Sequence, residues 1–189
     1  MALEGQRIFR VQRIKHLWGH RRYVGVKASE VHITINGIRE LKARNVYHRW
    51  VSLRHTGLPV WVSISADFSA NRSKNVCVMT LGAHYRTLRS QIMRDLLDYF
   101  IEVTFDVDDL GTLIDEADGE MLVPKGLLSL MLGIGIGALR GMLALRTSGT
   151  FLVHYPLPII SIADMIDSMD GANGLPSVKY DLPLEPVES

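Results

Sequence analysis

The chain lacks the residues and segments on which several large protein classes depend. It has 189 residues and a single cysteine, Cys77. A lone thiol builds neither a disulfide framework nor a thiolate metal cluster, which points to a reducing compartment, most simply the cytoplasm. Met1 to Arg13 carries charge but no apolar core of signal-peptide length. The apolar run Gly126 to Leu139, bracketed by Lys125 and Arg140, is 14 residues long. A spanning helix needs about 20 apolar residues, so this run reads as a buried helix and no membrane span is expected. Catalytic and metal signatures are missing as well. None of the 7 histidines forms an HExxH pair. His16 and His20 are four apart, but they sit in a basic stretch that would repel a cation. No GxSxG elbow supports a serine hydrolase. The acidic stretch 95–120 lacks the Asp/Gly spacing of a calcium loop. No enzyme, metal or cofactor is expected.

What is present is ordinary in amount and uneven in distribution. Hydrophobic residues make up 47% of the chain and charged residues 22%, which excludes a wholly disordered polypeptide. The net charge is +1. Residues 1–54 carry 12 Lys/Arg and only Glu4, Glu30 and Glu40, whereas residues 95–120 carry ten acids and no Lys or Arg. Such asymmetry marks either a charged partner surface or two segments that face each other, within a subunit or across a symmetric interface.

The hydrophobic period changes along the chain. Residues 22–38 alternate in places, with a slip near Ser29–Glu30 and a turn signal at Asn36-Gly37. Val60, Val62, Ile64, Ala66 and Phe68 fall on one face of a half-buried strand. A polar turn at 71–75 leads into a second strand, so 58–86 predicts an antiparallel hairpin. Residues 87–98 fit helical spacing through Leu88, Ile92, Leu96 and Tyr99, or are irregular. Tyr99 to Val107 alternates as a strand, and 106–120 reads as an acidic loop. Pro124 then opens a long helix from Lys125 to Arg146, stopped by Gly149. Ser161 caps a short amphipathic helix through Ile162, Met165, Ile166 and Met169. From Gly171 the pattern is lost, which predicts a mobile tail over 171–189. Strands followed by helices predict an α+β fold: a four-stranded antiparallel sheet, then a long helix and a short C-terminal helix packed on one face. A single domain spans 1–170, with a basic N-terminal arm over 1–22.

Gly133-Ile-Gly135-Ile-Gly137 invites a nucleotide-binding interpretation, but it lies inside the predicted helix with G-x-G-x-G spacing. Gly133, Gly137 and Gly141 recur every four residues, forming a stripe without side chains that another helix or a sheet can approach closely. Each glycine costs about 1 kcal/mol of helix propensity relative to alanine, so close contact at an interface is the expected compensation. The basic N-terminal third, with Trp18, Tyr23, Tyr47 and Trp50 as stacking candidates, raises an alternative function in nucleic-acid association. A nearly neutral chain with no RRM, KH or zinc-finger pattern argues against it.

The block Val123-Pro-Lys-Gly126, the apolar helix ending in Arg146-Thr-Ser-Gly-Thr-Phe151, Leu157-Pro158, and the helix from Ser161 through Met169 resemble the SecB family of holdase chaperones. Phe9-Arg-Val-Gln-Arg-Ile14 and the strand around Phe100 to Phe105 are similar to that family's first and last strands. The resemblance implies a homotetramer, a dimer of dimers with long helices at the centre. There the stripe of Gly133, Gly137 and Gly141 would lie. It implies no catalysis and no cofactor. Its partners would be unfolded polypeptide clients, held in apolar grooves at the positions matching Phe151, Leu157, Ile159, Ile162, Met165, Ile166 and Met169. The methionines suit a surface that accepts many sequences. Three departures stand out: near-neutral charge where export-type members are strongly acidic, an apparent added loop over 39–57, and a long 87–120 region. They favour the family's other role, a chaperone dedicated to an antitoxin of a toxin–antitoxin system, over protein export.

Overall fold

The computed structural model describes residues 31–45, 59–89, 92–117, 120–171 and 180–184. The basic arm 1–22, the aromatic residues Trp18, Tyr23, Tyr47 and Trp50, and the strand expected over 22–30 lie outside them.

Four long strands build the sheet: β1 (Ile33–Asn45), β2 (Val60–Asn71), β3 (Val76–Arg89) and β4 (Ile92–Val107). All neighbouring pairs are antiparallel, and the order is β1-β4-β3-β2. Three hairpin-connected strands with the first strand returned beside the last make a Greek-key arrangement. The β2–β3 connection is a short 3-10 turn, Arg72–Lys74. Asn71 Oδ1 accepts the Lys74 N–H at 3.1 Å, and Asn75 takes the left-handed conformation (φ 54°) that asparagine tolerates. The expected hairpin is present: its first strand begins at Val60 and ends at Asn71, and its second runs on to Arg89.

The register divides the sheet into two unlike faces. Val62, Ile64, Ala66 and Phe68 of β2 stand opposite Tyr85, Ala83, Leu81 and Met79 of β3. Those β3 residues in turn oppose Leu97, Tyr99, Ile101 and Val103 of β4. All are buried. The other face carries Asp67, Thr80, His84, Asp98, Glu102 and Asp106, a polar set at the alternate positions.

Four sequence expectations are corrected here. Residues 92–98, whose spacing suggested a helix, continue as strand β4. Pairing to β3 along the stretch, joined by β1 at Leu97 and Asp98, holds their backbone extended, which a chance helical spacing of Leu88, Ile92 and Leu96 cannot outweigh. Asn36-Gly37 is no turn: β1 runs through it, with a register shift between Ile35 and Gly37 and a second between Glu40 and Lys42. Residues 39–45, taken as the start of an added loop, are therefore strand; 46–57 lie outside the described residues. The acidic loop holds a short helix, α1 (Leu110–Leu113), and a two-stranded ribbon, β5 (Asp115–Ala117) with β6 (Glu120–Leu122).

The long helix α2 covers Lys125–Thr147 and the short helix α3 covers Ile162–Gly171. Leu127, Leu128, Met131, Leu132, Gly135, Ile136, Leu139, Leu143 and Thr147 form the buried face of α2, at helical spacing. They cover the apolar face of β3 and β4. Each fully buried Leu or Met there stabilises the fold by about 1.5–3 kcal/mol. At 23 residues α2 passes, by length and composition alone, for a membrane-spanning helix. The sequence expectation of a buried helix matches the packing of that inner face. Gly149 follows the helix at φ 76°, as its stop role required. Ser161 Oγ accepts the Asp164 N–H at 3.2 Å and caps α3.

A last element departs from the expected mobile tail. Tyr180–Leu184 form β7, which pairs antiparallel with Val60–Ile64 and makes β2 an inner strand over that stretch. Its local sequence has no periodicity; the neighbouring edge decides its conformation. Residues 172–179 and 185–189 lie outside the described residues.

Candidate functional site

The stretch between the two helices is where apolar side chains remain at the surface. After α2, Thr150 makes a local knot: its Oγ1 donates to Thr147 O at 2.7 Å and accepts the Leu152 N–H at 3.2 Å. This opens one 3-10 turn, Phe151–His154, which buries Leu152 and turns Val153 outward. The Phe151 ring meets that of Tyr155 edge to face, with centroids 6.5 Å apart. Tyr155-Pro-Leu-Pro158 then runs without regular structure, because each proline removes a backbone donor.

Arg140 holds this connection in place. From the side of α2 its Nε donates to Leu157 O at 3.3 Å and its Nη2 to Pro158 O at 2.7 Å. Leu157, between the prolines, is drawn into the core, and the next residues are displayed. Ile159 is 93% exposed, the most exposed large apolar side chain described. In the same stretch of chain Phe151, Ile160 and Ile162 are half-buried, and Val153 is exposed. Arg140 was not singled out from the sequence. Only its position as the one charge interrupting an apolar helix could have marked it.

The seven residues proposed as client contacts thus separate. Ile159 is open, and Phe151 and Ile162 are partly open. Leu157, Met165 and Ile166 are buried in the core and pack the connection and α3 onto the rest, so as they stand they present no surface to a client. The side chain of Met169 lies outside the described residues. Spacing alone could not make this distinction, since one amphipathic face serves packing and binding equally.

The glycine stripe lies on the opposite side of α2 from the sheet. A Cβ added at Gly133, Gly137 or Gly141 would meet nothing within 4 Å. Leu130 and Leu145 flank the stripe and are exposed, Leu145 to 80%. Nothing among the described residues compensates the helix-propensity cost of these three glycines. The close approach within the chain falls to Gly135, where a Cβ would lie 2.5 Å from Leu81 Cδ1 and 3.3 Å from Met79 Sδ. On the helix-bearing face of the sheet, beyond the cover of α2, Ile35 and Ile38 of β1 are also exposed.

The charge asymmetry resolves within the chain as far as the described residues extend. Arg39 of β1 grips Glu102 of β4 with two hydrogen bonds, 2.7 Å from Nε and 3.1 Å from Nη2. Lys42 lies 3.6 Å from Asp98 and 5.5 Å from the centroid of the Phe100 ring. His84 bridges the same cluster: its Nδ1 bonds Asp98, and its Nε2 lies 3.2 Å from Asp95. Glu40, on the opposite face, sits 3.9 Å from Arg146 at the end of α2 and accepts from Tyr99. Burial first, and then Glu40, push the Tyr99 phenol up to about 12. The basic column of β1 therefore meets the acidic column of β4, and the facing-segments alternative holds for these pairs. Arg39 and Lys42 are thereby engaged within the chain and not held free for the nucleic-acid alternative. The histidines and acids among the described residues form no group suited to a metal ion.

No family model and no curated protein matches the chain. Among solved structures, it is similar to the Mycobacterium tuberculosis Rv1957 SecB-like chaperone, determined in complex with a ChAD peptide from the Rv1956 HigA1 antitoxin. The TM-score is 0.43 at 16% identity, over 68% of this chain and 91% of that one. At that distance the likeness carries no argument for function, which has to come from the residues.

Proposed function

We propose that the chain is an ATP-independent holdase that keeps unfolded polypeptides from aggregating. Ile159 carries this proposal. A large apolar side chain 93% exposed, on backbone held by two hydrogen bonds from Arg140, is displayed rather than merely left out. Half-buried Phe151, Ile160 and Ile162 and exposed Val153, in the same stretch of chain, add partly open apolar side chains of the kind that interaction sites use. The resemblance of residues 123–169 to SecB chaperones supports the same function. Its finer parts are proposals too: a dimer of dimers assembled through the open stripe Gly133, Gly137 and Gly141, a cytoplasmic location, and an antitoxin as the dedicated client. The near-neutral net charge of +1, where export-type members are strongly acidic, supports the last.

Two measurements test the proposal together. Light scattering after size-exclusion chromatography is expected to give a tetramer. Substoichiometric protein is expected to suppress the aggregation of a reduced, unfolded client without ATP, and Ile159→Asp to weaken that suppression. A monomer without holdase activity rejects it.

A further inference from the structure

The edge of β2 is occupied by the chain's own end. β7 covers only Val60–Ile64, whereas β2 continues to Asn71, and no described strand pairs with the outer edge of Ser65–Asn71. A sheet edge offers a row of unpaired donors and acceptors to any extended segment. The resident strand is a weak occupant by construction. It is five residues long, and Pro183, opposite Trp61, supplies no N–H. A proline-free segment running the full edge would pair with twelve residues of β2 rather than five. The side-chain pattern of the edge is set too. Leu184, opposite Val60, packs partly against the core, so an added strand has alternate side chains directed at the apolar layer under the helices. The link of residues 172–179 tethers β7 to α3, and a short tether holds a competitor at millimolar effective concentration. Such a competitor shields the edge from weak, non-specific pairing and yields to a longer strand.

From this we infer that the outer edge of β2 is a strand-addition site for extended segments of a polypeptide client, and that Tyr180–Leu184 is its tethered, displaceable resident. The inference rests on the holdase proposal for the nature of the partner and adds a main-chain binding mode to the side-chain surface around Ile159. It favours client segments with alternating apolar residues and without proline.

The full chain carrying Ser63→Cys and Asp181→Cys tests it, because these two residues stand directly opposite across β2 and β7. The probe is a fluorescent peptide copying residues 177–185 with Pro183→Thr, followed by anisotropy. With the cysteines reduced, the peptide is expected to bind as to the unsubstituted chain. Oxidation is expected to weaken binding by about tenfold or more, reversibly, since the resident can no longer leave. In a second variant, Leu184→Asp loosens the resident and is expected to tighten peptide binding several-fold. Equal binding by the oxidised and reduced forms, or no tightening in the second variant, overturns the inference. Aggregation suppression by the oxidised protein separates the two proposals. If the locked chain holds an unfolded client as well as the reduced one, the β2 edge is not a client site and the holdase proposal stands. If peptide binding responds to the lock while neither form suppresses aggregation, the edge site stands and the holdase proposal fails.

Discussion

On its inward face α2 brings Gly135 against Leu81 and Met79, while on its outward face Gly133, Gly137 and Gly141 have no described atom within 4 Å of an added Cβ. The residue type, the helix and the helix-propensity cost are the same. The inward glycine exchanges that cost for a closer approach of helix to sheet, with dispersion contacts that a methyl group would block. Among the described residues the outward glycines make no such exchange.

The largest expected effect comes from filling the inward position. Gly135→Leu should destabilise the protein by about 3 kcal/mol, because overpacking at the Leu81 contact exceeds the gain in helix propensity; urea unfolding measures this. A smaller change would mean that the helix slides outward without loss and that the inward contact is not tight. The apolar layer under the helix can also be tested by pH. Burial pushes the Cys77 thiol up to about 12 from an ordinary 9.0, and Tyr99 lies up at about 12 on the same face. A raised folded value means stability that is complete below the unfolded value and is lost as pH rises toward the folded one. Stability should therefore fall from about pH 9, by on the order of 2–3 kcal/mol at pH 11 from Cys77 alone. Thermal melts from pH 7 to 11 check it, with Cys77→Ala flattening the early part of the decline.

The outward face should respond in the opposite sense. Gly133→Ala, Gly137→Ala and Gly141→Ala together should stabilise the isolated subunit by about 3 kcal/mol, since no described atom stands in the way of the added methyls. If the stripe is an interface, the same variant dissociates. A subunit that gains stability while its assembly is unchanged removes the stripe from the interface. The smallest effect on stability is expected at Ile159: Ile159→Ser should change unfolding by less than about 0.5 kcal/mol, because the side chain is already in water. Its effect should appear only in client affinity.

The elements legible in the sequence were those specified by their own residues. The strand Val60–Phe68 and the helix from Lys125 were given by period, by Pro124 and by Gly149. What was missed depended on neighbours. Residues 92–98 and 39–45 are strand because β3 and β4 offer them paired backbone, and Asn36-Gly37 is a bulge because the strand continues past it. Among the site residues, Ile159 and Met165 looked alike as apolar members of one block. One is held out on the Arg140-bound connection and the other faces the core from α3, a difference in tertiary position only.

By itself, then, the sequence determined the α+β class, the β2–β3 hairpin and both helices with their caps, because period, proline, glycine and capping act within a few residues. The tertiary structure alone decided which glycine touches the sheet, which apolar residues stay exposed, how the basic and acidic segments neutralise each other, and that Tyr180–Leu184 closes part of an edge. Each of these depends on residues far apart in the chain, brought together by burial of a shared apolar face, and no local pattern encodes that partner.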